Sequence, residues 1–255
     1  MRIITYNVNG IRSAAKKGFI DWLKTNPADI ICLQEIKANS EDIPTVEING
    51  AGYEVYSFSA QKKGYSGVAI LTRVKPDDVQ YGNGIMQSDA EGRVIRADFG
   101  SFTLVNAYFP SGTSGDDRQA YKYVWLDEFF EYLQELSKTR PKLIVCGDYN
   151  ICHKAIDIHD PVRNKNYTGF LPDERAWMDK FFEHGFVDTF RVFNQNPHQY
   201  TWWSAFANAR ANNKGWRIDY LNVSKPLESK LKSAEILADV KHSDHCPVFL
   251  EIDVK

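Results

Sequence analysis

Leu143-Ile144-Val145-Cys146-Gly147-Asp148-Tyr149-Asn150 decides how the rest of the chain is read. Four apolar residues following Pro141 and Lys142 read as a buried strand. Gly147 then opens the backbone, and Asp148 and Asn150 follow two apart. On an extended chain, residues two apart point to the same side. A carboxylate and a carboxamide would therefore leave the end of a core strand together. Such a pair closes a core badly and holds a water or a metal well. Alone, the same letters also read as an Asp and Asn opening a turn. The neighbouring segments decide between the two.

Upstream lies the longest helical pattern, Asp116 to Lys138, with Tyr121, Trp125, Phe129, Leu133 and Leu136 as its apolar stripe. Before it, Val94–Phe99 and Phe102–Phe109 read as a hairpin around Gly100-Ser101. Phe102, Leu104, Asn106 and Tyr108 share one face of its second strand, which brings Tyr108 to the strand exit before Pro110. The chain opens with a strand from Ile3 to Asn9, in which Asn7 and Asn9 share a face. A helix capped by Ser13 is expected to run to about Thr25 and stop at Asn26-Pro27. In the strand from Asp29 to Ile36, Glu35 falls on the face of Ile31 and Leu33. A carboxylate there is costly unless it meets a cation or several donors, so both a metal and a lysine partner fit. Residues 53 to 72 read as a further hairpin.

Downstream, residues 153 to 171 form a polar segment carrying Arg163, Asn164, Lys165, Asn166 and Tyr167. In a compact domain a loop of that length is usually functional or disordered. Asp173 reads as the cap of a helix closed by Gly185. Tyr200-Thr-Trp-Trp is extended, and Asn208 to Lys214 is polar, with Arg210 and Lys214. In the strand from Trp216 to Val223, Asp219 shares a face with Leu221 and Val223. The turn Lys241-His-Ser-Asp-His-Cys-Pro leads into a last strand at Val248.

The composition sets bounds. The chain has 255 residues, 43% of them hydrophobic, enough for one large core. There is no linker, low-complexity tract or repeat, so residues 1–255 read as a single domain. A net charge of -2 supplies no global basic field, and a nucleic-acid role must rest on a local patch. The four cysteines form no CxxC pair, which weakens both zinc and disulfide readings. A strand pattern already begins at Ile3, leaving no room for a signal peptide. No apolar run approaches membrane-spanning length. The expectation is a soluble, cytoplasmic monomer with no membrane partner.

Together the segments share one geometry. Apolar strands deliver Asn7, Glu35, Tyr108, Asp148, Asn150 and Asp219 to their ends, with Asp244 and His245 on a connection between strands. In α/β folds ligands gather at strand ends and on the loops beyond. Carboxylates with amides, a Tyr and a His suit a hard cation such as Mg²⁺ and the chemistry of phosphoester hydrolysis. No GxxxxGK[ST] or HExxH motif points to a P-loop nucleotidase or a zinc peptidase.

Six motifs, in order, carry a resemblance: Tyr6-Asn-Val-Asn-Gly-Ile-Arg12, Cys32-Leu-Gln-Glu35, Asn106-Ala-Tyr-Phe-Pro110, Gly147-Asp-Tyr-Asn150, Gly215-Trp-Arg-Ile-Asp-Tyr220 and Ser243-Asp-His-Cys-Pro247. Across nearly the whole chain they resemble the exonuclease III/AP endonuclease family of the endonuclease–exonuclease–phosphatase superfamily. The resemblance implies an α/β (α+β) four-layer sandwich, two mixed β-sheets packed face to face with helices outside. It also implies Mg²⁺- or Mn²⁺-dependent hydrolysis of phosphodiesters in double-stranded DNA with damaged, abasic or recessed 3′ ends. It implies Glu35 as the principal metal ligand, with Asn7, Asn9 and Asp244 nearby. Asp148 would activate water and Asn150 orient it. His245, paired with Asp219, would donate to the phosphate, and Tyr108 would stabilise the phosphate or the leaving oxygen. Trp202, Trp216 and Ile218 would take a deoxyribose lacking its base. Arg210 and Lys214 would meet the DNA backbone, as would Arg12, Lys16 and Lys17 on the opening loop.

The sequence departs from the family pattern at three places. Asn9 stands where some relatives carry Asp, and Ser111 where many carry Asn or Gln. Tyr167 stands where many AP endonucleases carry Asn, so its ring would narrow the pocket or stack on a terminal base. That would favour 3′-end trimming over incision at an internal abasic site; the alternative is a ring turned to solvent. Two other functions compete. A superfamily phosphatase acting on another phosphoester would show no DNA binding. A non-catalytic DNA-binding module would not need Glu35, Asp148, Asn150, Asp219 and His245 together.

Overall fold

A computed structural model of the chain describes residues 1–26 and 28–254; Pro27, expected to help stop the first helical segment, lies outside the described residues. The first sheet contains β1 (Arg2–Asn7), β2 (Ile30–Gln34), β3 (Glu54–Phe58), β4 (Val68–Thr72), β13 (Leu231–Ile236) and β14 (Val248–Ile252). The second contains β5 (Asp78–Tyr81), β6 (Val94–Asp98), β7 (Thr103–Tyr108), β8 (Leu143–Asp148), β9 (Phe186–Asp188) and β12 (Asp219–Ser224). A two-stranded ribbon pairs β10 (Trp202–Trp203) with β11 (Gly215–Trp216). Strand order is β13-β14-β1-β2-β4-β3 in one sheet and β5-β6-β7-β8-β12-β9 in the other. Only β1–β2 and β7–β8 are parallel among these six-stranded pairings, so both sheets are mixed.

Strand alternation assigns the faces. Ile3, Ile30, Cys32, Val68 and Ile70 of the first sheet pack against Ile95, Leu104, Ile144, Cys146 and Leu221 of the second. The other face of the first sheet, with Ile4, Tyr6, Ile31 and Leu33, is covered by α1 (Ile11–Lys16), α2 (Phe19–Thr25) and α3 (Thr45–Gly50). The remaining helices are α4 (Met86–Ala90), α5 (Asp116–Thr139), α6 (Pro172–Glu183) and α7 (Thr189–Phe193). Trp125, Phe129 and Leu133 of α5, with Trp177 and Phe181 of α6, cover Val105, Leu143 and Val145 on the second sheet's outer face. Helix, sheet, sheet and helix make the expected four layers. Burial of each such aliphatic or aromatic side chain contributes about 1.5–3 kcal/mol.

Near the site, a polar strut crosses the apolar gap. Asn106 Nδ2 on β7 donates to the carbonyls of Leu33 (3.0 Å) and Ala69 (2.9 Å), and Gln34 Nε2 donates back to Asn106 Oδ1 at 2.7 Å. Gln34 and Asn106 are completely buried. A hydrogen-bonded pair in such a place fixes how one sheet sits on the other.

Three local expectations are corrected. The first helical segment is two helices, because Gly18 takes a left-handed conformation (φ 95) that ends α1. Ser13 therefore lies inside α1, which starts behind Gly10 without a side-chain cap. Helix α6 begins with Pro172 at its first position. Its leading amide, Leu171 N, donates to Glu174 at 3.0 Å, so Glu174 and not Asp173 completes that end. Strand alternation also stops earlier than expected: Asn9 (φ 44), Glu35 (φ 48) and Asn150 (φ 52) take left-handed backbone just past β1, β2 and β8. For a Glu this conformation is uncommon and costs about 1–3 kcal/mol.

Arg217, on the approach to β12, is wholly buried and braces this end of the fold. Its guanidinium donates to Asp157 Oδ1 (2.8 Å) and to both oxygens of Asp188 (3.1 and 2.6 Å). Burial pushes the Asp157 carboxyl up, but Arg217 and Arg191 outweigh it and hold it at about 2. This interaction stabilises the fold above the ordinary value of 3.8 and is lost as pH falls through about 2. Replacing Arg217 by Leu takes the cation from Asp188 and leaves buried Asp157 with Arg191 alone. The expected loss in urea unfolding at pH 7 is about 3 kcal/mol, the lower end for breaking a buried ion pair, and an unchanged midpoint would contradict this.

Candidate active site

The register of the second sheet assembles the centre of the site. Tyr108 lies beside Asp148 in the parallel β7–β8 pair, and Asp148 lies opposite Asp219 in the antiparallel β8–β12 pair. Three neighbouring strand ends therefore present a phenol and two carboxylates at one level. Gly147 permits this closeness: its φ is 144, and a Cβ there would stand 1.8 Å from the Ala107 carbonyl oxygen. Asp148 and Asn150 converge as expected, but by a turn. Asn150 N donates to Asp148 Oδ1 at 2.8 Å, and Asn150 Nδ2 donates to the Phe109 carbonyl at 3.0 Å. The turn and the site are one structure.

The first sheet supplies the opposite wall. The left-handed turn at Glu35 carries its carboxylate to the Tyr108 hydroxyl, which donates to Glu35 Oε1. Asn7 and Asn9 do not share a strand face. Asn7 is completely buried: its Nδ2 donates to Asp148 Oδ2 at 2.8 Å and its Oδ1 accepts from Asn9 N at 2.9 Å. Asn7, expected among the metal ligands, thus positions Asp148. Asn9, beyond the turn, donates to Asp244 Oδ1 at 2.9 Å.

His245 enters from the turn before β14. Its Nδ1 donates to Asp219 Oδ2 at 2.9 Å, and its Nε2 lies 4.0 Å from Asp148 Oδ2. The Thr201 hydroxyl donates to the same Asp219 oxygen at 2.6 Å. The ribbon sits over this turn: Trp202 forms a β-bridge with His245, and its indole Nε1 donates to Asp244 Oδ2 at 3.1 Å. Trp202 and Trp216 meet edge to face, with centroids 6.0 Å apart, over Ile218 and Phe170. The result is a cleft of about 370 Å³ with a polar floor and one aromatic wall.

The profile of the endonuclease/exonuclease/phosphatase family matches residues 4–245, which include every one of these groups. The chain belongs to that family. Its place there is with the exonuclease III/AP endonuclease members. It is 42% identical to an exodeoxyribonuclease of Bacillus subtilis over the full length of both chains. An AP endonuclease structure from Archaeoglobus fulgidus superposes with a TM-score of 0.91 at 32% identity, covering both chains completely. The structure of a 3′ phosphatase from Neisseria, NExo, bound to a product DNA hairpin gives a TM-score of 0.92 at 28% identity, covering 99% of each chain.

Two places in this family member invite a cation. Asp148, Asp219 and His245 bring one ligand atom each within 4.8 Å of one another. However, both Asp219 oxygens face His245 Nδ1, and one also binds Thr201, so the cluster is satisfied internally. The set formed by Glu35, Asn9 and Asp244 suits a hard cation better, because every donor is an oxygen. A positive charge already marks the place: Lys37 Nζ stands 2.7 Å from Glu35 Oε2 and 2.5 Å from Asn9 Oδ1. The residues present therefore fit a divalent ion.

The electrostatics separate the roles. Burial raises the Asp148 carboxyl, Asp219 across the strand raises it further, and together they outweigh His245 and the Asn150 amide to bring it to about 7. Burial alone would lower the His245 imidazole, but Asp219 dominates and lifts it to about 10. The ring is thus charged at neutral pH, with a proton on each nitrogen. Burial also opposes ionisation of Glu35, yet Lys37 and the Tyr108 hydroxyl hold its carboxyl below the usual range. Tyr108 is raised well above its ordinary value by burial and then by Glu35 and Asp148, so it remains a proton donor.

The outer residues divide. Asn9, Glu35, Tyr108, Asp148, Asn150, Tyr167, Trp202, Trp216, Asp244 and His245 line the cleft. Tyr167 is 59% exposed and meets Trp216 edge to face at 6.1 Å, so its ring forms the rim. Ser111 also lines the cleft and hydrogen-bonds Thr113 at 3.0 Å. Lys214 joins Arg163 and His159 in a neighbouring depression that Tyr167 shares. Arg210 is committed elsewhere. It donates to the carbonyls of Ser243 (3.0 Å), Ala238 (2.9 Å) and Val240 (2.7 Å) and lies over Trp203, bracing the His245 turn rather than facing a ligand. Arg12 is exposed on α1, 3.9 Å from Asp42, outside the cleft. Lys16 ends that same helix, so Arg12, Lys16 and Lys17 do not form an opening loop. Sequence reasoning named neither Lys37 nor the role of Thr201. Lys37 lies two residues past Glu35, whose need for a cation was readable. Thr201 had no sequence signal, because its partner is distant in the chain.

Proposed function

We propose that this chain is a metal-dependent DNA phosphodiester hydrolase that trims 3′ ends and incises at abasic sites in base-excision repair. One observation carries the reading: a charged His245 and a carboxylate poised near neutrality, Asp148, face Glu35 across a cleft with an aromatic wall. Glu35, with Asn9 and Asp244 beside it, would hold Mg²⁺ or Mn²⁺. Bound there, the ion would offset charge developing on the phosphate. Asp148, oriented by Asn7 and Asn150, takes the proton of the attacking water, and its raised pKa suits a general base. His245 Nε2–H donates to a non-bridging phosphate oxygen, and Asp219 sustains the charge of the ring. Tyr108 holds Glu35 and keeps its proton beside the leaving oxygen.

Trp202, Trp216 and Ile218 form a wall suited to a sugar without its base, whereas a charged inositol ring would gain little from it. Lys214 and Arg163, with Arg12 further out, supply the local basic contacts that a chain of net charge -2 requires. Among the described residues no helix is long and apolar enough to cross a membrane, and the four cysteines are free and buried. Free, buried thiols suit a reducing compartment, and the proposal is of a single-domain monomer in the cytoplasm.

Tyr167 sets the balance of activities in this proposal. At the rim it can stack on a terminal base, and it narrows the entrance to the apolar wall. The test uses two labelled duplexes with Mg²⁺, one with a central abasic site and one with a recessed 3′ end. Wild type should degrade the recessed end faster. Tyr167→Asn should shift the ratio toward abasic incision by about tenfold, within the few kcal/mol that base–aromatic stacking supplies. Unchanged rates on both duplexes would reject this role for Tyr167, and cleavage of neither by wild type would reject the function.

A further inference from the structure

Beneath the cleft lies an ion pair that the chemistry above does not use. Lys122 of α5 and Glu174 of α6 are both completely buried, with Nζ 2.5 Å from Oε1. Burial lowers the pKa of Lys122, against the pull of Glu174. Two charges removed from water are a costly way to fill space, because a hydrophobic pair of similar volume is often as stable or more so. What a hydrophobic pair lacks is directed bonds, and here each bond leads to a segment that shapes the cleft.

Lys122 Nζ donates to the carbonyl of Asn150 at 2.9 Å, holding the left-handed turn that orients Asp148. Glu174 Oε2 accepts from Gly169 N at 2.6 Å and Leu171 N at 3.0 Å, anchoring the loop that carries Tyr167. On the other side Gln119 Nε2 donates to Glu174 Oε1 at 3.2 Å, and Gln119 Oε1 accepts from the Thr168 hydroxyl at 2.6 Å. The Ser111–Gly112 segment packs on this same Gln119–Thr168 pair. A Cβ on Gly112 would lie 1.9 Å from Gln119 Oε1 and 2.4 Å from Thr168 Oγ1. Gly169 is equally constrained: with φ 93, its Cβ would stand 2.8 Å from the Trp216 ring and 3.2 Å from the Asn150 oxygen. The Asp148–Asn150 turn and the loop that carries Tyr167 thus rest on one charged unit.

We propose that Lys122 and Glu174 are positioning residues that set the spacing between the Asp148–Asn150 turn and the Tyr167 loop at the rim of the cleft. The inference rests on the nuclease reading for its kinetic consequence, though the tie itself does not. The test compares Lys122→Met, Glu174→Gln and the double variant. It measures thermal stability, amide exchange at residues 150–152 and 169–171, and kcat and KM on the recessed duplex. Lys122→Met strands a buried carboxylate and should lower stability. The double variant carries neither charge and should regain most of it. Its kcat should nevertheless remain about 10–100-fold low, the effect expected from a small misplacement of a catalytic group, with KM nearly unchanged and exchange at residues 150–152 still fast.

Recovery of kcat along with stability in the double variant would overturn the proposal, because the pair would then matter only as a buried charge balance. A kcat within twofold of wild type in every variant would overturn it equally. If wild type cleaves no DNA, the nuclease reading falls. Exchange then decides the tie by itself: acceleration at residues 150–152 in the double variant sustains it, and unchanged exchange removes it.

Discussion

Replacing Asp148 by Asn should abolish most hydrolysis while leaving the protein folded and able to bind DNA. Among the described residues that line the cleft, this carboxylate is the one whose burial and neighbours place it near neutrality, at about 7. Asn has nearly the same shape and its Oδ1 can still accept from Asn150 N, so the turn survives, although the bond that Asn7 Nδ2 donates to Asp148 Oδ2 is lost. It cannot take a proton. The expected fall in kcat is about 10²–10⁴-fold, the usual contribution of a general base. Stability should move the other way. An acid whose folded pKa lies above its ordinary value of 3.8 destabilises the fold increasingly as pH rises from that value, and the penalty is complete above about 7. Without added metal, the variant should therefore melt no lower than wild type at pH 8, with its relative advantage shrinking toward pH 5. Loss of activity accompanied by a large drop in melting temperature at pH 8 would mean that Asp148 is structural.

The second large effect is expected at Asp219. Its two oxygens face His245 Nδ1, and one also accepts from Thr201. Asn in its place removes the charge that lifts His245 to about 10. It also offers an amide N–H where the ring needs an acceptor. The imidazole should then titrate nearer the ordinary value of about 6.5 and be neutral at pH 8. Losing a charged donor to the phosphate should cost about 10²–10³-fold in kcat. The pH profile gives a sharper check. In wild type the favourable Asp219–His245 interaction is fully present below pH 6.5 and is lost only as pH rises through about 10. Asp219→Asn should bring that alkaline limb of activity down by several pH units. An unshifted limb in the variant would show that His245 does not act through its charge.

The parts of this site that were legible in the sequence are those that follow strand alternation. Tyr108 shares its face with Phe102, Leu104 and Asn106, and Asp219 shares its face with Leu221 and Val223; all occupy the layer between the sheets or its edge. The strands followed from the same periodicity; the four layers came from the resemblance of the six motifs. Alternation failed where the backbone leaves the strand. Asn9, Glu35 and Asn150 take left-handed turns, and nothing in their immediate neighbours announces a positive φ on a Glu. Those turns decide which side chain faces the cation place and which one, Asn7, stays behind as a support. Arg210 and the Lys122–Glu174 pair were illegible for another reason. A positive charge near tryptophans reads as a ligand contact until its partners are known, and Arg210 finds them in carbonyls 28 to 33 residues away. Lys122 on an amphipathic helix reads as a solvated position, yet it is buried by α6, which lies 52 residues further on at Glu174.

The strand ends of the two sheets are proposed to form one metal-assisted centre for DNA hydrolysis. Its most direct test is a single-turnover cleavage assay on a duplex with a labelled recessed 3′ end. Protein stripped with EDTA would be compared with the same protein after addition of Mg²⁺ or Mn²⁺. No cleavage is expected in EDTA, with recovery on adding either ion and no recovery in Glu35→Gln at the ion concentration that restores wild type. Cleavage that persists in EDTA, or a Glu35→Gln variant that recovers as wild type does, would contradict it.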